Sequence, residues 1–397
     1  MSYEIGLVGK PSVGKSTLFN AATTNDVPEG AYPFTTIDPS VGEAYVRVDC
    51  AAPEFDGDHE CTPNHGYCAD GTRYVPVELV DVAGLVPGAH EGRGLGNQFL
   101  TDLNETDVLV HVVDFSGETD AEGEPTEGHD PREDVDFLEE ELDAWYLDIL
   151  RKGLERHRSG YQGHDSELAV DLAEQLSSFG ISDDEIDRLR RRLGLSTDPD
   201  EWDDGDEAAL ATAIRRATKP IVIAANKMDT AAARENWREI TSDPDYDHLT
   251  FVPVSAHAEK ALKNAAAAGV VAYDPGDADF EVTGDLPEEK RAGLDRIREF
   301  LETFGGTGVQ TAIETALFEE LETIAVFPGN GSPRADGTFL QDCLLFPEGV
   351  TAEGFANAIH SDVGEGFLYA TDARTGRQVG ADTELDHRDV VEVTTTN

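Results

Sequence analysis

Long apolar runs, cysteine and positive charge are all scarce in this sequence. No stretch approaches the roughly 20 apolar residues that span a bilayer, and the N-terminus has no secretory pattern, so we expect a soluble, cytoplasmic protein with no membrane partner. The chain has 4 cysteines in 397 residues, which are too few for a disulfide framework. Its 30 Lys and Arg residues face 81 Asp and Glu residues, which argues against binding DNA or other nucleic acid by general phosphate neutralisation.

The acidic excess gives a formal net charge of -51. Disordered chains also carry high net charge, but they lack apolar residues, whereas 39% of this chain is hydrophobic. At about 1 M salt the Debye length is only about 3 Å, so self-repulsion would be screened. We interpret the charge as adaptation to a salty, halophilic cytoplasm, and the length predicts two or three domains.

A glycine-rich segment near the N-terminus fits the pattern G-x-x-x-x-G-K-[ST]. It follows the apolar run 5–8 and precedes the helix-like run 17–22, which is the strand–turn–helix context of a phosphate loop. Lys15 can reach the β- and γ-phosphates, and the Ser16 hydroxyl can ligate Mg²⁺. The predicted nucleotide-binding residues here are Gly9, Pro11, Ser12, Val13, Gly14, Lys15, Ser16 and Thr17.

Two later segments are candidates for the γ-phosphate and the metal ion. The Pro- and Thr-rich loop 27–39 contains Thr36, which we prefer to Thr35 as a Mg²⁺ ligand and γ-phosphate contact. Asp81 ends an apolar strand and is followed by Gly84. In that position Asp81 can hold Mg²⁺ through a water molecule, and the Gly84 N–H can meet the γ-phosphate. The predicted catalytic residues are Lys15, Thr36 and Gly84.

A third group of residues is suited to recognising a purine base. An apolar strand leads into Asn226, Lys227, Met228 and Asp229. An aspartate can accept both N1–H and N2–H of guanine, a donor pair that adenine does not present. Asn226 would tie this loop to the phosphate loop, and the Lys227 stem would cover the base. Another strand ends at Ser255 and Ala256, where the Ala256 N–H can meet guanine O6.

The insertion 50–73 contains three of the cysteines, Cys50, Cys61 and Cys68, in the spacing C-x10-C-x6-C. Together with His59 or His65 they could form a Cys3His zinc site. The close C-x2-C pair typical of such sites is absent, so free or partly buried cysteines in a surface excursion are the alternative.

The order of predicted elements divides the chain into domains. We expect an α/β domain formed by residues 1–116 and 219–323, interrupted by an acid-rich helical insertion over 117–218. Residues 324–396 predict a small, strongly curved sheet folded over one helix, which is expected at 352–359.

Taken together, these segments resemble the Obg family of GTPases, in the YchF-like branch that ends in a TGS domain. The resemblance implies a P-loop GTPase domain with a mixed, mostly parallel sheet, an inserted helical arm and a β-grasp TGS domain. It also implies slow, Mg²⁺-dependent hydrolysis of bound GTP to GDP and work with the ribosome or with tRNA or rRNA complexes, and we expect a monomer. The matching segments are 9–17, 32–36, 81–89, 94–100, 226–229, 358–360 and 364–367.

Several departures qualify the resemblance. Some YchF relatives prefer ATP and lack the N-K-x-D motif, which is intact here, so GTP is predicted. Ser12 stands where potassium-assisted relatives carry Asn, which leaves a potassium requirement open. Leu85 is not such a departure: it stands where Ras-like enzymes carry the water-orienting Gln, and the resemblance places the chain among GTPases with a hydrophobic residue there, so intrinsic hydrolysis should be slow. The candidates for that task are His90, Glu91, Arg93 and His111. The alternatives are a YchF-type ATPase and a non-hydrolysing adaptor or metal-thiol sensor.

Overall fold

The computed structural model describes residues 2–23, 40–55, 61–82, 103–158, 168–333 and 337–396. The predicted roles of Thr36 and Gly84, and the loops 27–39 and 85–98, lie outside these described residues. So do three of the four candidates for orienting water, which are His90, Glu91 and Arg93.

The strands form two main sheets and one short hairpin. They are β1 Glu4–Val8, β2 Ser40–Asp49, β3 Tyr67–Ala69, β4 Thr72–Asp81, β5 Val108–Asp114, β6 Ile221–Asn226, β7 Thr250–Pro253, β8 Val271–Ala272, β9 Glu281–Val282, β10 Thr323–Pro328, β11 Leu344–Pro347, β12 Phe367–Asp372, β13 Arg377–Val379 and β14 Val390–Thr395. In the larger sheet the order is β2-β4-β1-β5-β6-β7, with β3 also on β4. Its β4-β1-β5-β6-β7 core is parallel, while β2 and β3 run antiparallel to β4. The predicted mixed, mostly parallel sheet is therefore confirmed.

Helices cover both faces of this sheet, as a parallel sheet of apolar strands requires. The helices in the described part of the chain, including those of the insertion and of the C-terminal region, are α1 Lys15–Ala22, α2 Pro131–Arg158, α3 Leu168–Gln175, α4 Asp183–Arg192, α5 Asp204–Thr218, α6 Ala231–Ile240, α7 Ala256–Ala267, α8 Glu288–Phe304, α9 Val309–Glu314, α10 Ala352–Ile359 and α11 Ser361–Glu365. Successive strand residues point to opposite faces. Leu7 accordingly packs in the core that includes Phe19 of α1, and Val8 packs in the core that includes Leu138 of α2 and Phe300 of α8.

Helices α2 to α5 lie between β5 and β6 and form a core of their own. The C-terminal half of α2 contributes Tyr146, Leu150 and Leu154, which are spaced for one face of a helix. Short helices here need strong ends, and α4 begins with a reciprocal Ser182–Glu185 capping box.

The C-terminal sheet has the order β11-β10-β14-β12-β13 and packs on α10 through its own apolar core. Another side of this region joins the core of the first sheet, because Phe339, Leu345 and Val390 belong to the same cluster as Val46 and Val77. Within the described ranges, no helix combines the length and the hydropathy needed to cross a membrane.

Candidate functional site

The loop between β1 and α1 forms a tight cradle that depends on two glycines. Gly9 has φ +145, and a Cβ there would lie 2.4 Å from the Val112 carbonyl oxygen. Gly14 has φ +104, and a Cβ there would lie 2.4 Å from Nδ2 of Asn226. Ser12 also has a positive φ, of 65, a conformation that is costly for a residue with a side chain. The loop thus brings its backbone close to two neighbouring strands.

Lys15, at the start of α1, turns back into this cradle. Its Nζ donates to the carbonyl oxygens of Gly9 at 2.9 Å and of Lys10 at 3.2 Å. Burial lowers the pKa of Lys15, and the Asp81 carboxylate partly opposes that shift. A cation held in a buried site by neutral carbonyl groups would be stabilised further by an anion such as a phosphate.

Ser16 and Asp81, the two predicted magnesium-site residues within the described chain, are in direct contact. The Ser16 hydroxyl donates to Asp81 Oδ2 at 2.9 Å, and Asp81 is fully buried at the carboxyl end of β4. A hydroxyl and a carboxylate at one point supply the oxygen ligands that Mg²⁺ prefers.

Asn226 joins the phosphate loop to the loop after β7. Its Nδ2 donates to the Val13 carbonyl oxygen at 2.8 Å, and its Oδ1 accepts from the Ala256 N–H at 3.1 Å. The side chain is 4% exposed, so both hydrogen bonds are shielded from water. Three segments that are far apart in sequence therefore have one shared anchor.

Asp229 is exposed at the end of the same loop, beside Ser255. The Ser255 hydroxyl donates to Asp229 Oδ1 at 2.9 Å and also accepts from the Ala258 N–H at the start of α7. Met228, between Asp229 and the strand, is buried in the core beneath the loop. The carboxylate is thus oriented by a fixed helix terminus while it remains accessible to a ligand.

Lys227 has a partner that was not anticipated from the sequence, Asp114 at the end of β5. Lys227 has φ 62, and its Nζ lies 2.7 Å from Asp114 Oδ2. Burial would raise the pKa of Asp114, but hydrogen bonds from Lys227, Ser116 and Thr119 lower it overall. The ion pair fixes the aliphatic stem that was predicted to cover the base. An acidic residue ending an apolar strand was the available signal.

Lys10 forms a second unanticipated contact, from the phosphate loop to the first turn of α2. Its Nζ lies 2.7 Å from Asp134 Oδ2, and both side chains are less than a tenth exposed. The same Nζ donates to the Thr119 carbonyl oxygen at 2.8 Å, and His129 Nε2 lies 3.0 Å from Asp134 Oδ1. The sequence gives no signal for this pair, because the two residues lie 124 positions apart.

His111, a sequence candidate for orienting water, is buried on β5 opposite Val8. Burial lowers the pKa of His111 to about 3, and the charges of Lys15 and Lys10 add to that effect. The imidazole is therefore neutral at physiological pH.

The residues present fit a bound nucleotide with its magnesium ion. The Ser12 hydroxyl is buried and has no hydrogen-bond partner among the residues that the structure describes. This hydroxyl belongs to a loop in which Lys15 is buried and in which a Cβ at position 9 or 14 would clash with Val112 or Asn226. An orphaned buried donor in the same loop as a buried cation is what a phosphate-binding loop shows before an anion satisfies it.

Comparisons with known proteins agree with this arrangement. Residues 4–148 match the model of the 50S ribosome-binding GTPase family, 224–330 match the G4 motif-containing domain of YGR210-like Obg-like GTPases, and 332–395 match the TGS domain. The chain is 42% identical over 392 residues to the GTP-binding protein MJ1332 of Methanocaldococcus jannaschii, covering 98% of each chain.

One solved structure aligns with nearly the whole chain, and one further relative aligns with half of it. A crystal structure of a GTP-binding protein from Pyrococcus horikoshii aligns with a TM-score of 0.78 and 36% identity, covering 99% of this chain and 100% of that one. The ribosome-binding ATPase YchF of Haemophilus influenzae is 33% identical over 213 residues, which are 50% of this chain and 55% of that protein.

A phosphate loop after the first parallel strand, with an Asn-Lys-Met-Asp loop two strands away, defines a P-loop nucleotide-binding protein of the GTPase class. Within that class, the chain belongs to the Obg family of GTP-binding proteins, in its YchF-type branch with a C-terminal TGS domain.

Proposed function

We propose that this protein is a GTP-specific molecular switch that hydrolyses GTP slowly and acts with the ribosome in the cytoplasm. The nucleotide would be bound by the residues 1–116 and 219–323, while the helical insertion 117–218 and the TGS domain 324–396 would contact the partner.

The observation that carries this proposal is the intact and oriented base-recognition loop. Asp229 is exposed, its carboxylate is held by the Ser255 hydroxyl, and Asn226 fixes the loop against the phosphate loop. A carboxylate pairs with the N1–H and N2–H donors of guanine. Adenine presents an acceptor at N1, which a carboxylate repels, so the loop discriminates between the two purines.

Hydrolysis would rest on positioning and charge, as in other phosphoryl transfers to water. Lys15 would neutralise the β- and γ-phosphates, and Ser16, Asp81 and Thr36 would hold Mg²⁺, which when bound neutralises charge on the same phosphates. We propose the Gly84 N–H as a γ-phosphate contact. Leu85 cannot hydrogen-bond a water molecule, so we expect slow turnover until a partner supplies an orienting group.

Ribosome association is proposed because the Haemophilus influenzae YchF relative is named as ribosome-binding and a matching family model is named as 50S ribosome-binding. The strongly acidic chain would contact ribosomal RNA through shape and hydrogen bonds, because it lacks the positive charge for phosphate neutralisation. Cosedimentation of the full chain with ribosomes, comparing GDP with a non-hydrolysable GTP analogue, tests this. Equal recovery in both states would contradict the switch.

Competition between radiolabelled GTP and unlabelled nucleotides in molar KCl tests the base preference. We expect GTP and GDP to compete at least a hundredfold better than ATP, since two charge-assisted hydrogen bonds are worth about 3 kcal/mol or more. Equal competition by ATP would refute the guanine assignment and favour the ATPase alternative, which the name of the Haemophilus influenzae relative represents. Measuring the rate of GTP hydrolysis in molar KCl and again in molar NaCl decides whether potassium assists, given Ser12 in the loop.

The substitution Asp229→Asn distinguishes base recognition from a general effect on binding. An amide can donate to the O2 of xanthine where the carboxylate accepted from guanine N2–H. We expect weaker GTP binding, stronger xanthosine triphosphate binding and an unchanged melting temperature, because Asp229 is exposed. A uniform loss for both nucleotides would place Asp229 outside the base site.

A further inference from the structure

The three cysteines Cys50, Cys61 and Cys68 come together although their spacing in the sequence is irregular. Their sulfur atoms all lie within 4.8 Å of one another, and none is in a disulfide. Strand register explains the convergence. Cys68 on β3 is directly opposite Arg73 on β4, and Cys50 follows β2, whose Val48 is opposite Arg73 on the other edge of the same strand.

This separation of the sulfur atoms suits a tetrahedral metal ion. At a Zn–S distance of about 2.3 Å, the sulfur atoms of a tetrahedral site lie roughly 3.8 Å apart. The observed cluster therefore needs pairwise shifts of only about 1 Å or less to close around one ion. Cys50 is buried, and Cys61 and Cys68 are partly buried, so that the cluster is protected yet reachable from solvent.

Arg73 gives independent evidence for negative charge at the cluster. Its side chain is 1% exposed, and a buried guanidinium needs a nearby anion. Its Nη1 donates to Cys61 Sγ at 2.7 Å, and its other hydrogen bonds go to the carbonyl oxygens of Leu340 and Gln341. Among the described residues no carboxylate forms an ion pair with it, so the sulfur atoms are the anion that the structure offers.

We propose that Cys50, Cys61 and Cys68 are the ligands of a structural zinc ion that joins the nucleotide-binding domain to the C-terminal domain. Each thiol releases one proton to solvent on binding, so three thiolates and Zn²⁺ carry one net negative charge. The guanidinium of Arg73 balances that charge. This site shares no residue with the phosphate loop or the base-recognition loop, so the inference does not depend on the proposed function.

The junction role follows from the backbone around Cys61. The Thr62 N–H donates to the Phe339 carbonyl oxygen at 2.9 Å, and the Asn64 N–H donates to the Gln341 carbonyl oxygen at 2.8 Å. A segment from the first half of the chain thus pairs with the stretch leading into β11. A metal ion that fixes Cys61 to β3 and to the end of β2 would hold this pairing against the central sheet.

The first test is metal analysis of the full-length chain purified under argon without added metal. We expect about one zinc ion per chain by mass spectrometry and less than a tenth of that in Cys50→Ser, Cys61→Ser and Cys68→Ser. Because such variants could fail to fold, Co²⁺ is also added to the metal-stripped wild-type chain. Strong visible bands of tetrahedral cobalt, with thiolate charge-transfer bands in the near ultraviolet, are expected.

Cys343, buried at the same junction but not one of the converging thiols, supplies a matched variant. We expect Cys343→Ser to retain the zinc. Loss of zinc from the Cys343→Ser variant would instead identify Cys343 as a fourth thiolate ligand, which still supports a metal site. Wild-type chain without stoichiometric zinc and without cobalt–thiolate bands, or with two of the three cysteines joined in a disulfide, would overturn the proposal.

Hydrogen exchange tests the junction itself. Removing zinc with a chelator is expected to speed exchange at the amides of Thr62 and Asn64 at least tenfold, while GTP binding persists. Unchanged exchange at these amides after confirmed zinc removal would overturn the junction role. If the zinc-loaded chain itself does not bind GTP, that result contradicts the proposed nucleotide function and leaves the zinc site supported.

Discussion

The substitution Asn226→Ala tests whether one buried amide holds the nucleotide loops together. It removes two hydrogen bonds, to Val13 and from Ala256, and leaves a buried carbonyl and a buried N–H without their partner. Each such bond contributes roughly 1 kcal/mol, and each orphaned group costs about 1–3 kcal/mol when water cannot reach it. With two such groups, we therefore expect the free energy of unfolding to fall by about 2–6 kcal/mol.

The same loss should appear in nucleotide binding, because the ligand must then order the phosphate loop itself. A cost of about 2 kcal/mol weakens binding roughly 30-fold. The effect should be equal for GTP, GDP and xanthosine triphosphate, since Asn226 contacts loops and not the base. Isothermal titration and thermal unfolding in the same buffer measure both quantities.

Asn236 provides the matched control, because its Nδ2 also donates to a carbonyl oxygen, that of Phe115, at 2.8 Å, but its side chain does not bridge the phosphate loop to Ala256. Asn236→Ala should lower stability by about 1 kcal/mol and leave nucleotide affinity unchanged. If Asn226→Ala binds nucleotide as tightly as the wild-type chain, the asparagine is not the anchor described here. A base-selective loss would likewise refute the argument.

Three further outcomes are expected. Gly14→Ala should abolish nucleotide binding in a filter assay, because a Cβ at φ +104 would lie 2.4 Å from the same asparagine amide; retained binding would refute the tight cradle. His111 keeps a pKa of about 3 in place of 6.5, so the unfolded chain takes up a proton below pH 6.5 while the folded chain does not, and about 2 kcal/mol of stability is lost by pH 5. His111→Gln should remove that part of the pH dependence in denaturant titrations and His360→Gln, at an exposed site, should not. Asp134→Asn should cost about 3 kcal/mol by orphaning the buried Lys10, and the double variant Lys10→Met with Asp134→Leu should recover most of it; equal losses in both would argue against the ion pair.

Elements with strong local patterns could be predicted from the sequence. The apolar run at 75–80 lies within β4, which extends further at both ends, and the predicted helix 352–359 has the observed bounds. The family and the TGS domain were predicted from the resemblance of short motifs, and both are confirmed, as is the mixed, mostly parallel sheet. Periodicity and glycine-rich turns are local signals, so they can be recognised without knowing the rest of the fold.

Contacts between distant segments could not be predicted in the same way. Lys227 meets Asp114 because the neighbouring parallel strands β5 and β6 end at one edge of the sheet, and Lys10, just after β1, meets Asp134 because helix α2 begins beside that edge. The cysteine spacing gave a weak zinc prediction because proximity comes from the register of β4 with its two neighbours. The roles of the individual site residues stay predictions.

The contact between Lys10 and the first turn of α2 couples the phosphate loop directly to the orientation of a long helix. Helix α2 has 28 residues, which corresponds to a rod about 42 Å long. A tilt of about 3° at its base would displace its far end by roughly 2 Å. We therefore expect binding or release of a terminal phosphate at the phosphate loop to displace the far end of α2 in the helical insertion. A large partner bound there would respond to that displacement.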